Sequence, residues 1–456
     1  MKDKNNLRPK FHITADKGWI NDPNGLVYFN GEYHVFYQHY PNDVQWGPMH
    51  WGHVVSKDLL NWKRLPIALY PGDEYDKNGC FSGSAIVWKD KLYLIYTGFI
   101  ENGGGENIRQ IQCLASSTDG VNFTKHGKII DETLLPNGYN PSEFRDPKVW
   151  QENDTFYMIV AGKKINGKGR VLEFKSKDLF NWEFVGDLFN EDCDGEMVEC
   201  PDYIKDLGLL LTSEQFPRRL KELHLNVHTT RWHKGEFDVE KGTFKEEVRG
   251  IVDYGFDFYA AQTFLKEPIA IGWLQMWDRN IPYKKHGFAG MLSIPRKLSV
   301  KDGELYQQPV IAENTQIKKT VKETLQDLAE TGIIKINLES VEDFELKLRK
   351  KGDQYTLLKL ENGKWLFDRS KSGESIEGAE QDELSKKGIR VMPKSNLKEN
   401  NITIVMDLFS VEIFIDGKAM SSVICPEENS AGIELKVKAK NCQYERASID
   451  ASVDFE

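Results

Sequence analysis

No stretch of the sequence approaches the ~18 consecutive apolar residues that a membrane-crossing helix needs, so nothing in it reads as a transmembrane span. Cysteine is scarce: Cys80, Cys113, Cys193, Cys200, Cys425 and Cys442 are scattered through 456 residues without a CxxC pair. In so long a chain that pattern is not a disulfide framework, and reduced thiols in a cytoplasm are the expectation. Met1 to Lys10 lacks an apolar core, so no secretory signal is read there. The sequons at Asn122, Asn153 and Asn401 then carry no expected glycan. Excess positive charge is also missing. With 60 Lys+Arg against 70 Asp+Glu, the net charge of −10 argues against nucleic acid or an anionic membrane as the main partner. What remains is a chain of 40% hydrophobic and 29% charged residues, enough to bury a core, and long enough for two domains.

Two interleaved repeats organise the first 300 residues. Ser56-Lys-Asp-Leu-Leu-Asn-Trp62, Ser117-Thr-Asp-Gly-Val-Asn-Phe123 and Ser176-Lys-Asp-Leu-Phe-Asn-Trp182 place Asp58, Asp119 and Asp178 61 and 59 residues apart. Each reads as a polar turn closed by an aromatic residue that packs back on its own sheet. In the second series a polar or acidic element precedes a strand, at Asp22, Ser82, Asp146, Glu199 and Asp257, in steps of 60, 64, 53 and 58 residues. Turn dipeptides such as Asn30-Gly31 and Asn166-Gly167 between alternating runs give antiparallel strands. Five units of about four strands predict an all-β five-bladed β-propeller over residues 1–308, with the first strand of each blade on the axis. The alternative is an all-β sandwich.

The composition then shifts. Only Trp365 of eleven tryptophans lies after residue 300. Residues 309–330 lack glycine after Pro309 and read as a helical linker. Alternation returns at Ile334, Ile336, Leu338 and at Phe344, Leu346, Leu348, with turns at Asn362-Gly363 and Asp416-Gly417, predicting a C-terminal β-sandwich over 331–456.

In a propeller, the second series brings Asp22, Asp146 and Glu199 to one end of the axial channel. Carboxylates gathered there repel and desolvate, so at least one has a raised pKa. Glycosidic cleavage needs such a set: one carboxyl protonated at the leaving oxygen and one ionised beneath the anomeric carbon. Aromatic residues with polar neighbours, around Trp19, Gln38, Trp46, Trp51 and Trp273, suit sugar binding. Several other features carry no site. His50-x-x-His53 has no further metal-ligand spacing, and Asn102-Gly-Gly-Gly-Glu lacks the P-loop Lys-Ser/Thr. No metal or cofactor is expected. Cys200 reads as packing, and Arg218-Arg219 with Lys221, the best basic cluster for a sugar phosphate, reads as a solvated face.

Trp19-Ile-Asn-Asp-Pro-Asn-Gly25, Phe81-Ser-Gly-Ser84, Phe144-Arg-Asp-Pro147, Glu199-Cys-Pro-Asp202, Asp253-Tyr-Gly-Phe-Asp-Phe-Tyr-Ala260, Gly290-Met-Leu-Ser-Ile-Pro-Arg296 and Val411-Glu-Ile-Phe-Ile415 follow one another in order. Together they resemble the signature blocks of glycoside hydrolase family 32, the invertases, β-fructofuranosidases and sucrose-6-phosphate hydrolases. The resemblance implies a five-bladed propeller plus β-sandwich and a retaining β-fructofuranosidase acting on sucrose, sucrose 6-phosphate or short fructo-oligosaccharides. It implies Asp22 as nucleophile, Glu199 as acid/base and Asp146 as the acid that binds sugar hydroxyls, kept charged by Arg145. It also implies Trp19, Asn21, Gln38, Trp46, Phe81, Ser82, Arg145 and Trp273 around the substrate. Two departures stand out: Ile20 replaces the commoner Met, and Val198 stands where many relatives carry an aromatic residue. A fructosyltransferase and a non-catalytic sugar-binding propeller are the alternatives. The expected partner is a sugar alone, and the expected chain is a monomer or homodimer.

Overall fold

The computed structural model describes residues 7–103, 105, 107–189, 193–216, 223, 225–378 and 387–454. Arg218, Arg219 and Lys221 lie outside them. No helix among the described residues is long and apolar enough to cross a membrane.

Strands begin with β1 (Gly18–Phe29), β2 (Glu32–Tyr40), β3 (His50–Ser56) and β4 (Asn61–Leu69). Next come β5 (Gly79–Trp88), β6 (Lys91–Ile100), β7 (Arg109–Ser117) and β8 (Thr124–Ile130), then β9 (Arg145–Glu152), β10 (Thr155–Lys163), β11 (Gly169–Ser176) and β12 (Trp182–Asp187). A further group is β13 (Met197–Ile204), β14 (Leu209–Gln215), β15 (His228–Asp238) and β16 (Thr243–Ile251). The series ends with β17 (Tyr259–Thr263), β18 (Ile269–Trp273), β19 (Phe288–Ala289), β20 (Arg296–Lys301) and β21 (Glu304–Pro309). Within the first four groups, neighbours in sequence pair antiparallel, joined by turns such as Asn30-Gly31, where both residues have positive φ (50° and 85°), and in the last group β18 pairs with β20 past β19. The innermost strands β1, β5, β9, β13 and β17 contact one another in succession around one axis, and β17 returns to β1.

The expected five-bladed propeller is corrected by the sheets themselves, which form four separate blades. Four sheets, β5–β8, β9–β12, β13–β16 and β17-β18-β20-β21, are four-stranded blades. The strands β1–β4 belong instead to a six-stranded sheet in the order β19-β1-β2-β3-β4-β32, where β32 (Ser452–Val453) comes from the far end of the chain. Both added strands pair in parallel, β19 beside β1 and β32 beside β4. They cover edges that would otherwise expose unpaired backbone groups.

The turn repeat behaves as its sequence predicts. In all three copies the aspartate carboxylate accepts two backbone N–H groups and the asparagine side chain, with Asn61, Asn122 and Asn181 each 2.8 Å from Asp58, Asp119 and Asp178. The residue after each aspartate is left-handed: Leu59 at φ 66°, Gly120 at 76° and Leu179 at 68°. The network over-determines the turn and so holds two leucines in a conformation they rarely adopt. Trp62 and Trp182 close their copies as buried core residues, and Phe123 packs partly buried.

The expected helix over 309–330 is also corrected. The chain there forms β22 (Glu313–Thr320) and β23 (Thr324–Leu328), both paired antiparallel with β31 (Gly432–Ile449). An open edge of that 18-residue strand supplies backbone partners along its length, and tertiary pairing overrides a local helical pattern. The sandwich core is built on β31 and β24 (Gly332–Lys351), which pair along most of their length. A bulge between Val341 and Asp343, beside left-handed Ser340, bends β24 midway. Its first half pairs with β28 (Glu399–Asp407), followed by β29 (Ser410–Ile415) and β30 (Lys418–Val423). The second half pairs with β25 (Gln354–Glu361), followed by β26 (Lys364–Asp368) and β27 (Ile389–Pro393). Two layers thus diverge from one bent pair and enclose Ile334, Ile336, Phe344, Leu346, Trp365 and Tyr444.

A buried ionic cluster joins the sandwich to the sheets before it. Arg296 donates to Asp253 (2.9 Å) and Glu412 (2.6 Å), and both ring nitrogens of His12 meet carboxylates, Asp407 and Glu412, at 2.9 Å. Asp257, the last member of the acidic repeat, belongs here. It pairs with Arg369 at 2.6 Å and accepts the Val423 N–H at 2.9 Å, so it is not at the axial mouth.

Candidate active site

Each innermost strand breaks its ladder where the site residue stands. Register shifts fall between Ile20 and Pro23, Phe81 and Gly83, Glu199 and Asp202, and Tyr259 and Gln262, while β10 skips a residue opposite Asp146-Pro147. Asp146, Cys200 and Ala260 take positive φ values of 64°, 45° and 52°. A bulge of this kind frees a side chain from the pleat and re-aims it; here Asp22, Ser82 and Asp146 lie within the breaks, and Glu199 stands at the edge of one, still opposite Ser213. Deeper on the same strands, Lys148 pairs with Asp202 at 2.7 Å and donates to the Thr263 carbonyl, tying β9, β13 and β17 together beneath the acids.

The three acids line one cavity of about 390 Å³, within the ~300–1,000 Å³ of small-molecule sites. Asn21, Gln38, Trp46, Phe81, Ser82 and Arg145 line it too. Trp19 and Trp273 do not: both are buried behind the wall, and Trp277 holds the lining position. The three indoles form one cluster, Trp19 stacked on Trp277 at 5.9 Å and Trp273 edge-on to Trp277 at 5.0 Å. Trp19 acts through polar contact, since its indole N–H donates to Asn21 Oδ1 (2.7 Å) and Asn21 donates to Asp22 (3.0 Å). Trp46 remains 45% exposed and meets Phe81 edge-on at 6.0 Å.

Asp22 accepts Asn21 on one oxygen and the Ser82 hydroxyl on the other at 2.7 Å; the Cys200 thiol lies 3.5 Å from the latter oxygen. Burial first, then the charge of Glu199, push its carboxyl above the ordinary carboxylate range, and these hydrogen bonds oppose the shift. Asp146 accepts the Cys200 N–H at 3.0 Å, and its own N–H donates to Thr97 at 2.9 Å. Burial pushes it up to about 7, opposed by Arg145 and reinforced by Glu199 and Asp22. Arg145 spends its hydrogen bonds elsewhere, on Glu143 (2.5 Å) and Glu199 (3.2 Å), and acts on Asp146 only through space. Glu199 accepts Arg145 on one oxygen and the Tyr259 hydroxyl on the other at 2.6 Å. Burial and Glu199 together push the Tyr259 phenol far up, so it stays a donor.

Tyr259, Trp277 and Thr97 are site residues that the sequence does not single out. Tyr259 had a signal: it sits in the Phe-Tyr-Ala block where the acidic repeat places its last strand. Trp277 and Thr97 lie in no repeat. Val198, fully buried in the core, contributes no surface to the cavity. Among the described residues no group of His, Cys, Asp and Glu could hold a metal.

The arrangement can deliver a proton from one carboxyl while another presents an anion to the same bound molecule. Comparison with known proteins agrees. The family model "Glycosyl hydrolases family 32 N-terminal domain" matches residues 12–309, and "Glycosyl hydrolases family 32 C terminal" matches 303–452. The chain is 36% identical to a sucrose-6-phosphate hydrolase of Zymomonas mobilis, over 92% of this chain and 88% of that one. A Bombyx mori GH32 β-fructofuranosidase structure superposes with a TM-score of 0.85 at 31% identity, covering 98% and 95% of the two chains. A Lactobacillus gasseri sucrose-6-phosphate hydrolase structure shares the fold with a TM-score of 0.89 at 24% identity, covering 98% and 94%. From its bulged axial strands to its bent sandwich pair, the chain belongs to glycosyl hydrolases family 32.

Proposed function

We propose that this chain hydrolyses the fructosyl bond of sucrose, sucrose 6-phosphate or short fructo-oligosaccharides, with retention, through a covalent fructosyl-enzyme. The observation that carries the reading is that Asp22 and Glu199 line one cavity, each with its own set of donors. Glu199 protonates the bridging oxygen as the bond from fructosyl C2 breaks, and Asp22 forms the new bond to C2. Glu199, now ionised, takes a proton from water as that water attacks C2, releasing fructose and restoring Asp22. Ser82 and Asn21 hold the Asp22 carboxylate in place, and Tyr259 and Arg145 do so for Glu199. Asp146, raised to about 7, is poised to exchange its proton for hydrogen bonds from sugar hydroxyls. Six buried cysteines, none disulfide-bonded, support a reducing, cytoplasmic setting.

The test is kcat/KM on sucrose, sucrose 6-phosphate and 1-kestose side by side, with released glucose and fructose both measured. Equal release supports hydrolysis, whereas excess glucose at high sucrose supports fructosyl transfer. If Asp22→Asn and Glu199→Gln leave turnover intact, neither acid has the role proposed for it.

A further inference from the structure

We propose that Phe216 is the platform for the sugar on the leaving-group side of the site. The inference rests on the reading of a fructosyl bond cleaved with Glu199 as proton donor. Strand β14 runs antiparallel beside β13, with Glu199 opposite Ser213 and Met197 opposite Gln215. Residues that precede the inner strands, such as Ser142 and Glu143 before β9, line the cavity, so the N-terminal ends of these strands face its mouth. The chain leaving β14 therefore runs toward that end on the Glu199 side, and its next residue, Phe216, stands outside the lining of the cavity itself.

Phe216 is 60% exposed, a large apolar ring left in solvent. Its φ of 47° is left-handed, a conformation a bulky residue rarely adopts and one that clusters at ligand clamps. The backbone is pinned there: its N–H donates to the Val227 carbonyl at 2.9 Å and lies 3.2 Å from His228 Nδ1. The ring stands edge-on to the His228 imidazole at 4.7 Å and 80°. His228 is buried and packs on Tyr259 at 5.5 Å, and Tyr259 donates to Glu199. An exposed aromatic face is thus fixed by a chain of packed rings to the carboxyl that protonates the leaving oxygen. A sugar attached through that oxygen extends past Glu199, and the C–H face of its ring fits a phenyl surface that offers no hydrogen bonds.

The experiment compares wild type, Phe216→Ala and Phe216→Trp on sucrose, 1-kestose and methyl β-D-fructofuranoside, whose leaving group is too small to reach the ring. A stacking contact kept in both ground and transition states acts through KM. Phe216→Ala is expected to raise KM for sucrose and 1-kestose about 3- to 10-fold, a range set by ring-contact energies, with kcat nearly constant. Methyl fructoside should shift less than about twofold on the same scale, and Phe216→Trp should restore the sugar substrates. Unchanged sucrose kinetics would overturn the proposal. So would an equal loss on all three substrates, which marks a structural role. A wild type that releases fructose from none of them would instead refute the fructosyl reading, and the platform with it.

Discussion

Two groups of buried carboxylates, one at the junction with the sandwich and one at the axial mouth, are treated oppositely. At the junction with the sandwich, Asp253, Asp407 and Glu412 each meet Arg296 or His12, and backbone N–H groups fill their remaining lone pairs. Asp407 and Glu412 are held below the ordinary carboxylate range against the pull of burial, and His12 is driven up to about 9 by its two acids despite that pull. At the axial mouth, burial and mutual charge raise Asp22 and Asp146 instead. The contrast shows where the fold secures stability and where it gives some up. Charges at the junction are neutralised in pairs, whereas Asp22 and Asp146, the acids proposed to act on the sugar beside Glu199, are held by neutral donors.

The largest expected effect separates these roles. Asp22→Asn should lower kcat by at least ~10³-fold, since it removes the group proposed to bond to C2, while the melting temperature stays level or rises. Glu412→Gln should do the reverse. It leaves Arg296 and His12 short of a counter-charge in a dry site, costing about 3–5 kcal/mol of unfolding free energy by denaturant titration. Turnover per folded molecule should be unaffected.

A pH titration of stability sharpens the same contrast. The His12 contribution is fully present below its ordinary pKa of 6.5 and is lost as pH rises through about 9. Those of Asp407 and Glu412, with depressed pKa values, are present above the ordinary carboxylate range and are lost in acid. Raised Asp146 works the other way, its ionised form weakening the fold as pH climbs through about 7. Asp146→Asn should therefore stabilise the protein more at pH 8 than at pH 5, measured by thermal melts. Tyr259→Phe should cost about 10-fold in kcat, the scale of one hydrogen bond to a charged group, with little change in melting. The smallest effect belongs to the turn repeat: Asp178→Ala should lose about 1 kcal/mol of stability and no activity.

Much of the fold and the site is legible in the sequence. Periodic acids and turn aspartates are local signals, repeated because each sheet solves the same folding problem, so spacing brings Asp22, Asp146 and Glu199 together. The first sheet's added strands are not legible, because β32 reaches β4 across some 390 residues of sequence. The helix expected near 309–330 fails for a similar reason: β31 offers those residues a ladder that no local pattern announces. Trp19 and Trp273 share motifs with cavity residues, but strand alternation turns them inward and gives the wall to Trp277. Asp257 keeps the spacing of the repeat, yet it lies two residues before its strand begins and faces the sandwich. Period alone cannot tell those environments apart.

The decisive measurement is to trap the covalent intermediate. Glu199→Gln would be incubated with a fructosyl donor whose leaving group needs no proton, then digested and weighed peptide by peptide. One added fructosyl group is expected on the peptide carrying Asp22, and none after Asp22→Asn. A fructosyl adduct on Asp146, or product of inverted anomeric configuration with no adduct, would contradict the double-displacement reading.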